Sequence, residues 1–183
     1  MDVTMLRTLF LVMLASTLLA SAPARADQPP FATPPRPDDV ARVQTCLNAS
    51  ELFAAERACI GLVYTLCLRE QPEEAAATNE AQRLCFERES AAWRGLADES
   101  GDQIERLGSQ NVRRLVHRLR TEHRQWMYTR CAYEASIYEG GSFARVVLAH
   151  CYRNAHAELA ISLYWRANSG GQFAWPLDPG ELP

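Results

Sequence analysis

The chain has 183 residues, 48% of them hydrophobic and 22% charged, with a formal net charge of −3. That describes an ordinary globular chain with room for one domain, and the charge balance is too even to dictate a partner by itself. All 19 basic residues are arginine, which reads as genome composition and not as function.

The first residues set the compartment. Met1-Asp2-Val3-Thr4-Met5-Leu6-Arg7 leads into an apolar run from Leu9 to Ala20, followed by Ser21-Ala22-Pro23-Ala24-Arg25-Ala26. A basic start, an apolar stretch and a small-x-small site predict a signal peptide over 1–26, cut near Ala26. The run falls short of the ~20 apolar residues that a membrane span needs. No cysteine follows the cut, so no lipid anchor is expected there, and no later stretch is apolar and long enough to span a bilayer. The expected location is periplasmic or secreted.

Export decides how the six cysteines are read. Cys46, Cys59, Cys67, Cys85, Cys131 and Cys151 all lie after the signal segment, an even set in a short chain. In an oxidising compartment such a set implies disulfides. No Cys-x-x-Cys pair occurs, so neither a zinc ribbon nor a thioredoxin-type motif is expected.

The elements follow in order. Residues 27–37, with five prolines between Gln28 and Pro37, are expected to be a proline-rich, disordered lead-in. A helical domain is expected over 38–168. Val40, Val43, Cys46 and Leu47 open it, Asn48-Ala49-Ser50 marks a break, and Ser50 is the expected N-cap of the next helix. That helix carries Leu52, Phe53, Ala55, Cys59, Ile60, Val63, Leu66 and Cys67, and ends at Gln71-Pro72 because proline cannot continue it.

Thr78 or Asn79 caps a further helix with Ala81, Leu84, Cys85, Ala91, Ala92 and Leu96 on one stripe. Ser100 and Gln103 have capping-box spacing, so a long helix is expected from about Asp102 to Tyr138. Its expected core stripe is Ile104, Leu107, Asn111, Leu115, Leu119, Trp126, Arg130, Tyr133 and Ile137. Gly140-Gly141-Ser142 turns the chain into a last helix from Phe143 to about Ala167, stopped by Gly170-Gly171. A tail occupies 169–183, where Trp175 is the residue expected to dock it. No alternating strand pattern appears, so the fold class is all-α: a small antiparallel bundle of about four helices.

Helical hairpins bring together residues equidistant from a turn. Cys131 and Cys151 are centred on Gly141, and Cys67 and Cys85 on Ala76. Each pair therefore suits a disulfide between neighbouring helices. Cys46 and Cys59 remain; on one continuous helix they would lie ~20 Å apart and could not bond. They pair only if the chain folds back near Asn48.

Cys59-Ile60-Gly61 with Cys67, Cys85-Phe86-Glu87-Arg88-Glu89 leading to Trp93, His123-Arg124-Gln125-Trp126 with Arg130, Gly140-Gly141-Ser142 and Cys151 together resemble the lysozyme inhibitor LprI-like family of secreted bacterial proteins. The likeness covers about Val43 to Leu163. It departs from the family pattern at His123, at Tyr128, at Cys131, and at His156 and Leu159. The resemblance implies a protein-binding module, with a lysozyme-like muramidase as the candidate partner.

Charge distribution adds a surface to that expectation. Glu70 to Glu105 holds ten acids and three arginines, whereas Arg106 to Arg166 holds ten arginines and four acids. Cationic lysozymes would be steered toward the first. Glu73, Glu74, Glu80, Glu87, Glu89, Asp98 and Glu99 are the candidate protein-binding residues, or else solvated acids facing the arginines of the following helix. Arg113, Arg114, Arg118, Arg120 and Arg124, with His117, form a basic cluster. Export argues against nucleic acid as its ligand and leaves anionic envelope components, or the acidic helix itself.

No enzyme is expected. His117 and His123 are six residues apart, as are His150 and His156, and six residues turn a helix by about 240°, so neither pair shares a metal-binding face. With the cysteines in disulfides no nucleophile–base pair is visible, and no cofactor is implied. Trp93 and Trp126 are expected in the core.

Overall fold

The computed structural model describes residues 34–50 and 56–169. The segment expected to be a signal peptide, most of the proline-rich lead-in, Leu52, Phe53 and Ala55, and the tail with Trp175 lie outside the described residues. Within them the chain is helical and contains no strand. Among the described residues there are six α-helices, α1 (Pro37–Ala49), α2 (Leu62–Arg69), the short α3 (Glu73–Ala76), α4 (Asn79–Leu107), α5 (Gln110–Ser136) and α6 (Ser142–Asn168), with a 3₁₀ turn at Glu56–Cys59 between the first two.

α1 starts one residue before the expected Asp38. Pro37 sits in its first turn, where the missing N–H costs nothing. It stops at Ala49, at the expected break. The Ser50 hydroxyl donates back to the Cys46 carbonyl at 2.8 Å, and the residues it was expected to cap lie outside the described ones. The helix expected from Ser50 to Gln71 is divided instead. Gly61 stands at φ 103°, a left-handed conformation that glycine adopts without a Cβ clash. Only beyond it does α2 begin.

α4 and α6 form the largest helix–helix interface. They run parallel. Asn79 Nδ2 donates to Ser142 Oγ at 3.0 Å at one end, and Gln103 Nε2 donates to the Ala167 carbonyl at 3.3 Å at the other. Consecutive long helices are antiparallel, so α5 runs opposite to both and packs beside the α4–α6 pair. Fully or nearly buried alanines, Ala92 and Ala97 on α4 with Ala155, Ala157 and Ala160 on α6, leave little side chain to separate the backbones. Around this seam gather Val43, Leu47, Val63, Trp93, Leu96, Ile104, Leu163 and Tyr164.

Thr78 caps α4 as expected, its Oγ1 accepting from Ala81 N. The break expected at Ser100-Gly101-Asp102-Gln103 is not there. α4 runs straight through it, with Ser100 and Gly101 buried. The turn falls at Gly108-Ser109, where Ser109 Oγ accepts from Val112 N at 3.4 Å. A Cβ on Gly108 would meet the Ile104 carbonyl oxygen at 2.7 Å, so the close approach there needs glycine.

The expected stripe of the long helix is also displaced. α5 buries Val116, Met127 and Cys131, while Leu115, Leu119, Trp126, Tyr133 and Ile137 stand exposed, as does Leu107 at the end of α4. Trp93 is in the core; Trp126 is not. Splitting the helix at Gly108 frees α5 to rotate. Its inward face is then set by the Cys131–Cys151 bond and by Arg120, not by the larger apolar stripe.

All six cysteines are paired: Cys46–Cys59, Cys67–Cys85 and Cys131–Cys151. The fold-back after Asn48 brings the first pair to a Cα–Cα distance of 5.8 Å. No described helix is long and apolar enough to cross a membrane.

Candidate interaction surface and the buried charge centre

Two of the seven candidate acids are not on the surface. Glu89, on the inward face of α4, is fully buried. Its Oε1 accepts from Gly61 N at 2.6 Å and Trp93 Nε1 at 3.0 Å, and its Oε2 from Tyr64 N at 2.7 Å. Arg153 of α6 brings Nη1 to 3.6 Å from Oε1. The carboxylate thus closes the N-terminal turn of α2, where free N–H groups and the helix dipole favour negative charge. Burial lowers the proton affinity of the Arg153 guanidinium, and Glu89 opposes that. The guanidinium also lies over the Phe86 ring at 5.1 Å, and Phe86 stacks on Tyr64. Glu89 therefore locks α2, α4 and α6 together and has no free face for a partner.

Glu87 is the second correction. It is buried and pairs with Arg83, which also holds Glu80 at 2.6 Å. Burial pushes the Glu87 carboxyl up while Arg83 pulls it down. A neighbouring clamp joins three elements: Arg88 binds both oxygens of the buried Asp39 of α1, at 2.7 and 2.8 Å, and also bonds Glu70 beyond α2. Such bidentate geometry makes a partly buried ion pair directional as well as strong.

Glu73, Glu74, Glu80, Asp98 and Glu99 are exposed. They fall in two places. Glu73 and Glu74 on α3 and Glu80 in the first turn of α4 share the segment closed by Cys67–Cys85. Asp98 lies along α4 and is answered by Arg120 of α5 at 2.7 Å, an arginine that also reaches Asp102 and Glu105. For this part of α4 the acidic helix faces the basic one. The rest of the basic cluster, Arg113, Arg114, His117, Arg118 and Arg124, is exposed, with Arg118 at 3.5 Å from Glu122.

The histidines are scattered. His123 Nε2 donates to the Ala155 carbonyl at 3.0 Å, and His156 Nδ1 lies 2.8 Å from Ser90 Oγ across the α4–α6 seam. Among the described residues no three His, Cys, Asp or Glu side chains gather as a metal site would need. Burial pushes His156 down to about 3, with Arg94, His123 and Arg124 acting the same way, and it also lowers His123 and His150. An imidazole neutral in the folded chain takes up a proton near pH 6.5 once unfolded. The stability from its neutral burial is complete above that pH and is lost as pH falls toward about 3. Urea unfolding at about pH 7.5 and about pH 4.5 should show a clear loss at the lower pH, and His156→Asn should flatten the difference. An unchanged difference in that variant would assign the pH dependence to other groups.

Sequence reasoning overlooked Arg153 and the role of Glu89. The four-residue spacing of Glu89 and Trp93 on one helix was a usable signal; nothing local marks Arg153 as their partner. No family model, curated protein or solved structure matches the chain.

Proposed function

We propose that the chain is an exported protein-binding module of the lysozyme inhibitor LprI-like kind, which takes a cationic, lysozyme-like muramidase as its partner. The observation that carries the reading is the exposed acidic group Glu73, Glu74 and Glu80, presented beside the Cys67–Cys85 link. Carboxylates on a disulfide-tethered segment lose less backbone freedom on binding and steer a cationic partner over several ångströms. The family resemblance of Cys59 to Cys151, the signal-like first 26 residues and the complete pairing of the cysteines support the same reading. Catalysis has no part in it.

Adding the oxidised protein to a cationic muramidase should slow cell-wall clearance at micromolar excess. A Glu73→Gln/Glu74→Gln/Glu80→Gln variant should weaken the inhibition by about tenfold or more, with the largest loss at low salt. Unchanged clearance with the unmodified protein would remove the reading.

A second reading, an envelope protein with no enzyme target, is favoured by the exposed Arg113, Arg114, Arg118 and Arg124, which suit anionic envelope components. Retention of the protein on anionic but not neutral vesicles, alongside unchanged clearance, would establish it.

A further inference from the structure

The outer face of α5 and its C-cap Ile137 carry Leu115, Leu119, Trp126, Tyr133 and Ile137, exposed by 49, 43, 45, 70 and 67% respectively. At 100° per residue the other four fall within about 20° of the direction of Trp126, so the five form one straight stripe about 33 Å long. Tyr138 and the Phe143 ring, also exposed and 5.0 Å apart, continue it past the turn. Large apolar side chains exposed in line on one helix face mark a contact surface, here with Glu122 and Arg130 flanking its middle.

The order of the stripe identifies the occupant. Its spacing reads the same from either end: Leu119 and Tyr133 each lie seven residues from Trp126, and Leu115 and Ile137 each lie eleven. In an antiparallel pair of α5 helices, residues equally far from Trp126 stand at the same level. Leu115 then meets Ile137 of the other copy, Leu119 meets Tyr133, and Trp126 meets itself on the two-fold axis. The charges agree. Glu122 and Arg130 lie four residues on either side of Trp126, at about 40° on opposite flanks, so each Glu122 stands level with the other copy's Arg130 within side-chain reach. Arg118 stands level with Glu134, and no two like charges share a level. A parallel pair would instead set Glu122 against Glu122 and Arg130 against Arg130. Self-complementarity about one point is what a two-fold interface requires.

We infer that the protein forms a homodimer through α5, antiparallel and centred on Trp126. Within one chain the Trp126 ring is held by the Arg130 guanidinium, 4.9 Å away, and by His123 beside it. The inference does not depend on the proposed muramidase partner, because the stripe is separate from Glu73, Glu74 and Glu80.

Sedimentation equilibrium of the oxidised chain at about 100 µM should give the dimer mass, and Trp126→Glu should give a monomer with the helical circular dichroism of the unmodified chain. Glu122→Arg and Arg130→Glu should each weaken the dimer by about tenfold, and the double reversal should restore it. Mixed Leu119→Cys and Tyr133→Cys chains should cross-link to each other, while neither cross-links to itself. A monomer at that concentration would overturn the inference. So would a dimer that survives Trp126→Glu, or one in which Leu119→Cys chains cross-link to themselves.

Discussion

Replacing Glu89 by alanine should cost about 3–5 kcal/mol of folding free energy, read as a shift in the urea unfolding midpoint. The side chain is fully buried and accepts from two backbone N–H groups and the Trp93 indole, with Arg153 beside it. Its removal strands the buried Trp93 indole and the part-buried Gly61 and Tyr64 N–H groups, and leaves the buried Arg153 guanidinium without its carboxylate, the costliest of these losses. Against a total of about 5–15 kcal/mol for a domain of this kind, the loss takes a large share. Arg153→Leu in the same background should recover part of it, because an apolar side chain of similar reach leaves one fewer unpaired charge. A loss below about 1 kcal/mol for Glu89→Ala would mean that the carboxylate is not the tie between α2, α4 and α6.

Reduction of the three disulfides should have the larger effect. Each closes a loop of 13, 18 or 20 residues and contributes about 3 kcal/mol by restricting the unfolded chain. Together they are comparable with the whole stability of a small domain, so the reduced chain should lose its cooperative thermal transition by far-UV circular dichroism. Attack should begin at Cys46–Cys59. Cys46 is the one half-exposed member of the six, and the other five are buried. A fully reduced protein that melts at the oxidised temperature would show that the helix packing suffices without cross-links.

How legible the fold was depended on how local each signal is. The all-helical class was plain from spacing, and so were a cap at Thr78 or Asn79, which falls on Thr78, and the turn at Gly140-Gly141, because each is decided within a few residues. The disulfide partners Cys131 and Cys151 followed from that turn. Cys46 and Cys59 did not, since their meeting depends on a fold-back between α1 and α2. Ser100 to Gln103 misled because a capping box can also sit inside a helix whose neighbours hold it straight. Arg120 packs over Gly101 there, with its guanidinium atoms 3.2–3.3 Å from where a Cβ would stand, and it bonds Asp98 and Asp102 on either side. Tertiary contact overrode the local pattern.

The same limit explains the site. Glu73, Glu74 and Glu80 read correctly as surface acids because they flank a proline and a helix start. Glu87 and Glu89 look identical to them in composition; only the helices packed on α4 distinguish buried carboxylates from exposed ones. The stripe of α5 was visible as a stripe. Apolar periodicity shows that a face wants cover, without saying whether that cover comes from the same chain.

Peptide mapping of the protein recovered from cells in non-reducing conditions tests the account most directly. Linkages Cys46–Cys59, Cys67–Cys85 and Cys131–Cys151, in a chain beginning near Asp27, are the predicted result. Free thiols at these positions in a chain that still begins at Met1 would contradict it.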